Sequence, residues 1–183
     1  QWVLFNAQKI PLQVSGAHAS STDPRTWSSF GEARLALSHV KEAVGSGFVL
    51  TRDDPVCAID IDHCLDAEGK APWWVEELLS TLNGYVERSP SGKGLHVLFQ
   101  ATVPPDFRGG RRLFMASDQT EHAIEVYHEA RYLTVTGDVW NGSGSDLTDR
   151  TAEFRHVLEC SRTERAEPKP RGDSKSFKVN GDA

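Results

Sequence analysis

Positions 56–62 read Val-Cys-Ala-Ile-Asp-Ile-Asp, and this stretch restricts the fold more than any other in the chain. Side chains alternate across a strand, so Ile59 and Ile61 turn toward a core while Asp60 and Asp62 share the opposite face. A sheet holding this strand needs one apolar face and a second face that tolerates paired acids. Same-face neighbours lie roughly 6–7 Å apart at the backbone, so their carboxylates can converge on one or two divalent cations. Oxygen ligands of this kind suit Mg²⁺ or Mn²⁺ better than zinc. Aspartate is a poor strand former, and without metal the pair would repel and one pKa would rise. The alternative reading is an exposed strand face, or a turn, with incidental acids.

The remaining elements are mixed. Strands are predicted at Trp2–Asn6, Gly47–Leu50, Val56–Asp62, Tyr85–Arg88, Leu95–Gln100, Ala123–Tyr127 and Tyr132–Thr136. Ser28 or Ser29 caps a helix through residues 30–43, where Phe30, Ala33, Leu37 and Val40 fall at helical spacing. Pro72 suits the first turn of a second helix reaching residue 82, and a third covers Leu147–Leu158. Helices on a mostly antiparallel sheet make the class α+β. The segment 103–112, with two prolines and two glycines, reads as a loop. Residues 1–160 read as one domain, and the polar, charged residues 161–183 as a linker or frayed tail. A start at Gln1 rather than Met, with a linker at the other end, is expected of a piece excised from something longer.

Composition narrows the function classes. With 38% hydrophobic and 25% charged residues, the 183-residue chain can bury a core. It has no apolar run near ~20 residues, so no membrane span is expected, and with no charged-then-apolar stretch at its start no secretory signal is expected either. Cys57, Cys64 and Cys160 are too few for a disulfide framework and miss paired zinc spacing, so reduced thiols and a cytoplasmic location are expected. A net charge of −6, from 20 basic and 26 acidic residues, argues against nucleic-acid binding by a broad basic surface. It leaves room for an enzyme that gathers carboxylates around metal.

Three further segments carry chemistry. Glu125 lies between Ile124 and Val126 in a β-rich run, either as a third carboxylate or on a solvated strand face. Pro90, Gly92 and Gly94 dictate a turn between two strands, and such a turn can aim backbone N–H groups, Ser91 and Lys93 at a phosphate. A plain hairpin is its alternative. It is not a Walker A loop, because Glu87 stands where Gly is required and Gly94 where Ser or Thr is. His96, just inside the following strand, could donate to a phosphate oxygen or serve as a satisfied structural histidine.

Taken together, these segments resemble the archaeo-eukaryotic primase superfamily, and in particular the primase-polymerase domains of phage and plasmid replication proteins. The matching pattern is Ile59-Asp60-Ile61-Asp62, then Ser91 through His96, then Ile124-Glu125. Lys9-Ile10-Pro11, residues 21–27 and residues 131–137 support it, so the resemblance covers roughly residues 2–141. A strict Ser-x-His would put the serine where Gly94 stands. The resemblance implies an RRM-like catalytic core and template-directed nucleotidyl transfer from nucleoside triphosphates to a 3′-hydroxyl. It further implies that Asp60, Asp62 and Glu125 hold two divalent ions, Mg²⁺ or Mn²⁺. His96 would contact the triphosphate, helped by Ser91, Lys93 and Arg131, although Arg131 could instead form a structural salt bridge beside Glu129. Arg108, Arg111 and Arg112 of the FRGGRR loop, with Lys9 and Arg25, would meet the template; a solvated loop is the alternative. Implied partners are a DNA primer and template, and a helicase or helical domain missing from the chain.

Rival classes remain. A haloacid-dehalogenase-type phosphohydrolase also uses Asp-x-Asp after a strand, but its motif usually continues to Thr or Val where Cys64 stands, and its fold needs a parallel α/β rhythm. A metal-dependent nuclease shares the paired carboxylates. A replication-initiator module that only binds nucleic acid would not require repelling acids.

Overall fold

The computed structural model describes residues 1–107, 111–117, 120–141, 143–144 and 146–163. In chain order the elements are β1 (Trp2–Asn6), β2 (Pro11–Leu12), α1 (Phe30–Ala36), β3 (Ala43–Leu50), β4 (Val56–Ile61) and α2 (Trp73–Leu82). They continue with β5 (Tyr85–Arg88), β6 (Leu95–Gln100), β7 (Arg111–Ser117), β8 (Thr120–Tyr127), β9 (Arg131–Val135) and α3 (Thr151–Thr163). The class is α+β, with the strands divided between two antiparallel sheets, ordered β2-β1-β3-β9 and β5-β6-β4-β8-β7.

The alternation in β4 sorts its side chains as its sequence requires. Cys57, Ile59 and Ile61 enter a core with Trp74, Val75, Leu78 and Leu82 of α2 and Phe154, Val157 and Leu158 of α3. Ala58 faces the other way, into a cluster with Leu98, Tyr127, Leu50 and Leu133 that joins the two sheets. A third cluster holds Ala33 and Ala36 of α1 against Leu4 and Leu12. The five-stranded sheet thus has helices on one face and β9 of its neighbour over the other. Both central cysteines are buried thiols, and burial pushes Cys57 up to about 12 and Cys64 up to about 11.

Several boundaries differ from the predicted ones. Helix α1 starts at a capping box, in which the Ser29 hydroxyl accepts from the Glu32 N–H and the Glu32 carboxylate accepts from the Ser29 N–H. It stops at Ala36 rather than residue 43, because residues 43–50 are drawn out as a strand between β1 and β9. Tertiary pairing there overrides helical spacing. Gly47 permits the close approach, since a Cβ would lie 2.7 Å from the Leu133 carbonyl oxygen. Helix α3 begins at Thr151, not Leu147, where the Asp149 carboxylate accepts from the Thr151 N–H and hydroxyl. It runs on through Thr163, past its predicted end at Leu158, and residues 164–183 lie outside the described residues.

The largest correction concerns the FRGGRR segment. Arg111 and Arg112 are not in a loop but open strand β7, which forms the edge of the five-stranded sheet. The prolines and glycines upstream make the whole stretch look irregular, whereas residues from Arg111 onward pair in register with β8. Arg108 lies outside the described residues. No helix among the described residues is long and apolar enough to cross a membrane.

Candidate active site

Strand register assembles the site. Glu87 stands opposite His96, His96 opposite Asp60, and Asp60 opposite Glu125. Directly opposed residues of antiparallel strands share a face, so the four form one row across β5, β6, β4 and β8. Two residues along, the row Tyr85, Leu98, Ala58 and Tyr127 is the apolar seam against the second sheet. The polar row therefore points the same way, and its members His96, Asp60 and Glu125 line a cavity of about 470 Å³ walled on its far side by residues 130–134.

This cavity gathers Asp60, Asp62, His96, Glu125, Lys9 and Arg131. Asp62 is exposed just beyond the end of β4, where His63 takes a positive φ of 50° and turns the chain. Lys9 sits in the β1–β2 turn with φ 59°, and its carbonyl accepts from the Tyr132 hydroxyl. Arg131 lies over the Tyr127 ring, 4.9 Å from its centroid, and donates to the Tyr127 hydroxyl at 3.3 Å, while Glu129 pairs with Arg52. The Tyr127 hydroxyl in turn donates to Glu125. Ser91 and Lys93 are exposed on the β5–β6 turn and do not line the cavity. Arg25 pairs with Asp23 on the surface. Arg112 is the register partner of Glu125 in β7.

Gly94 explains why the serine of a strict Ser-x-His is missing. A Cβ at this position would lie 2.7 Å from the Ile61 carbonyl oxygen and 3.4 Å from the Asp62 Cα. The β5–β6 turn is thereby pressed against the end of β4, which sets where Asp62 leaves the strand. Gly94→Ala is expected to destabilise the protein by about 1–3 kcal/mol through overpacking and to lower divalent-ion affinity by displacing Asp62. A chemical melt and a Mn²⁺ titration of the variant would check both effects.

The electrostatics favour a cation. Burial pushes the Asp60 carboxyl above its ordinary range; nearby Asp62 and Glu125 push the same way, against His96 and Lys9. Asp60 Oδ1 is buried without a hydrogen-bond partner, and His96 Nε2 stands 3.7 Å from it. Leaving a buried carboxylate oxygen unpaired is costly unless a charge arrives to satisfy it. Among the described residues no three His, Cys, Asp or Glu side chains already stand close enough to hold an ion. The fit rests on that orphaned oxygen and on an all-carboxylate donor set, which suits a hard divalent ion such as Mg²⁺ or Mn²⁺.

No protein-family model matches the chain. It is 40% identical over 147 residues, 78% of its own length, to a DNA primase-polymerase of Nitratiruptor phage NrS-1. Over this stretch the chain is similar to that phage protein. Its matched stretch spans 20% of that relative's length. This likeness and the resemblance read from the sequence name the same kind of protein. The resemblance grouped Asp60, Asp62, His96 and Glu125 with Arg131 and gave Lys9 to the template, and all six line the cavity. It passed over Tyr127, Tyr132 and Glu87. The aromatic residues carried a signal in their position flanking Glu125 and Arg131, whereas Glu87 becomes visible only through its register with His96.

Proposed function

We propose that this domain performs template-directed nucleotidyl transfer in a DNA primase-polymerase, adding nucleotides from nucleoside triphosphates to a 3′-hydroxyl. The observation that carries this reading is the unpartnered, buried Asp60 oxygen in one row with His96 and Glu125, facing a cavity that also holds Lys9 and Arg131. Asp60, Asp62 and Glu125 would hold two divalent ions, Mg²⁺ or Mn²⁺. When bound, such ions neutralise phosphate charge and make the attacking hydroxyl more acidic.

Phosphoryl transfer needs mainly positioning and charge stabilisation, and the chain's side chains can supply both. His96 presents Nε2 to the cavity, where it can hydrogen-bond a phosphate oxygen. Arg131, braced on the Tyr127 ring, and Lys9 add positive charge on the opposite wall. Lys9 lines the same cavity as Asp60, which suits it to the triphosphate better than to the template. Ser91 and Lys93, on the neighbouring turn, would engage outer phosphates or primer. Arg111 and Arg112 on edge strand β7, with Arg108, would track the template backbone. The expected partners are primer, template and triphosphates, with a helicase or helical domain, in the cytoplasm of a bacterial or archaeal host of a phage or plasmid.

The test is incubation with primer-template, all four nucleotides and Mg²⁺ or Mn²⁺, beside Asp60→Ala/Asp62→Ala, with a parallel reaction lacking primer. Metal-dependent extension lost in the double variant is expected, and product without primer would add priming. Degraded primer, or free phosphate released without longer product, would replace this reading with the nuclease or phosphohydrolase. Nucleic-acid binding with no turnover, unaffected by the double substitution, would favour the initiator module.

A further inference from the structure

Glu87 is fully buried, yet neither the metal ligands nor the substrate contacts proposed above include it. Its carboxylate accepts from the Tyr85 hydroxyl at 2.9 Å, from the Thr136 N–H at 3.0 Å and from the Gly137 N–H at 3.0 Å. Those two amides belong to the turn after β9, so one side chain ties the five-stranded sheet to the strand that walls the cavity. Its Oε1 also lies 3.5 Å from His96 Nδ1, which is 3.0 Å from the Thr134 carbonyl oxygen. Both neighbours of Nδ1 can only accept, so Nδ1 must carry a proton. That arrangement leaves Nε2 to face Asp60 and the cavity.

The geometry points to Glu87 as a positioning residue of His96: beside the Thr134 carbonyl, which accepts the Nδ1 proton, its charge keeps that proton in place and fixes the ring so that Nε2 meets the triphosphate. The inference rests on the reading of His96 as a triphosphate contact. Amide and hydroxyl donors alone would be satisfied by a neutral side chain; the ring N–H beside Oε1 is the contact that a full charge strengthens. Burial raises the carboxyl's pKa, but the bonds from His96, Thr136, Gly137 and Tyr85 outweigh it and hold the group below its ordinary range. Partners of this kind typically orient a histidine and set which nitrogen is protonated.

The test is Glu87→Gln in the 183-residue chain. The His96 Nδ1–H resonance is followed by nitrogen-edited NMR, and KM is measured separately for nucleotide and for primer-template. The expected result is a shifted or lost Nδ1–H signal and a nucleotide KM raised about tenfold, with primer-template KM and the backbone amide spectrum preserved. An unmoved His96 signal, or equal loss on both substrates with a generally altered spectrum, would overturn the assignment. Should Glu87→Gln fail to fold, Tyr85→Phe removes one donor and keeps the carboxylate. A smaller shift of the same His96 resonance is then expected, and no shift would overturn the assignment. The NMR arm does not depend on turnover, so a chain that makes no polymer would sink the polymerase reading and still test the Glu87–His96 link.

Discussion

Asp60→Asn is expected to slow nucleotide incorporation by about 10²–10³-fold or more, in a protein that melts no earlier than wild type. The substitution keeps size and shape, so Ile59 and Ile61 remain in the core on either side of it. What disappears is a negative charge that burial and two neighbouring carboxylates oppose, and whose Oδ1 has no partner in the fold. Removing a half-buried charge that its surroundings oppose on balance, despite His96 and Lys9, relieves the folded state rather than weakening it. Function and stability therefore move in different directions at this position. Primer-extension rates and thermal melts on the same preparations would show it. Retained activity, or a melting temperature lowered by several degrees, would mean that Asp60 serves the fold.

Phe154→Ala tests the other face of the same sheet and should have the largest effect on stability. Phe154 is fully buried on α3, with its ring 5.3 Å from Phe99 and 5.9 Å, edge-on, from Phe107. Truncating such a residue removes its transfer energy and leaves a cavity between rings that cannot fully close. The expected loss is about 3–5 kcal/mol, or a fall in Tm of roughly 6–20 °C for a domain of this size. Because α3 packs on the face away from the cavity, the variant that remains folded at low temperature should keep its nucleotide KM. Calorimetry together with nucleotide titration below the transition would check both parts. A loss below about 1 kcal/mol would show that α3 contributes little to holding this sheet.

Legibility in the sequence followed the range of the interactions. Strands β4, β5 and β6 were readable because alternation, Gly-Pro turn chemistry and β-branched content act within a few residues. Asp60 was readable because Ile59 and Ile61 force it onto the opposite face. Its convergence with His96 and Glu125 was not, since that depends on register between strands 36 and 65 positions away. Only the resemblance linked them beforehand. The end of α1 and the start of β3 were missed for the same reason: residues 40–43 suit a helix locally, and pairing with β1 and β9 decides otherwise. Arg111 and Arg112 beside a Gly-Gly pair looked like loop residues until β8 supplied a partner strand. The burial of Glu87 in its four-residue strand has no local signal, because it comes from the turn after β9 and the His96 ring.

The central claim is that the Asp60 row catalyses addition directed by a template. It is tested most directly by single-nucleotide incorporation with Mn²⁺ on four primer-templates that differ only in the first templating base. Each template is offered each of the four nucleotides separately. The expected result is extension by one residue chiefly with the complementary nucleotide, lost in Asp60→Asn. Addition that ignores the templating base, phosphate released without extension, or extension that survives the substitution would contradict it.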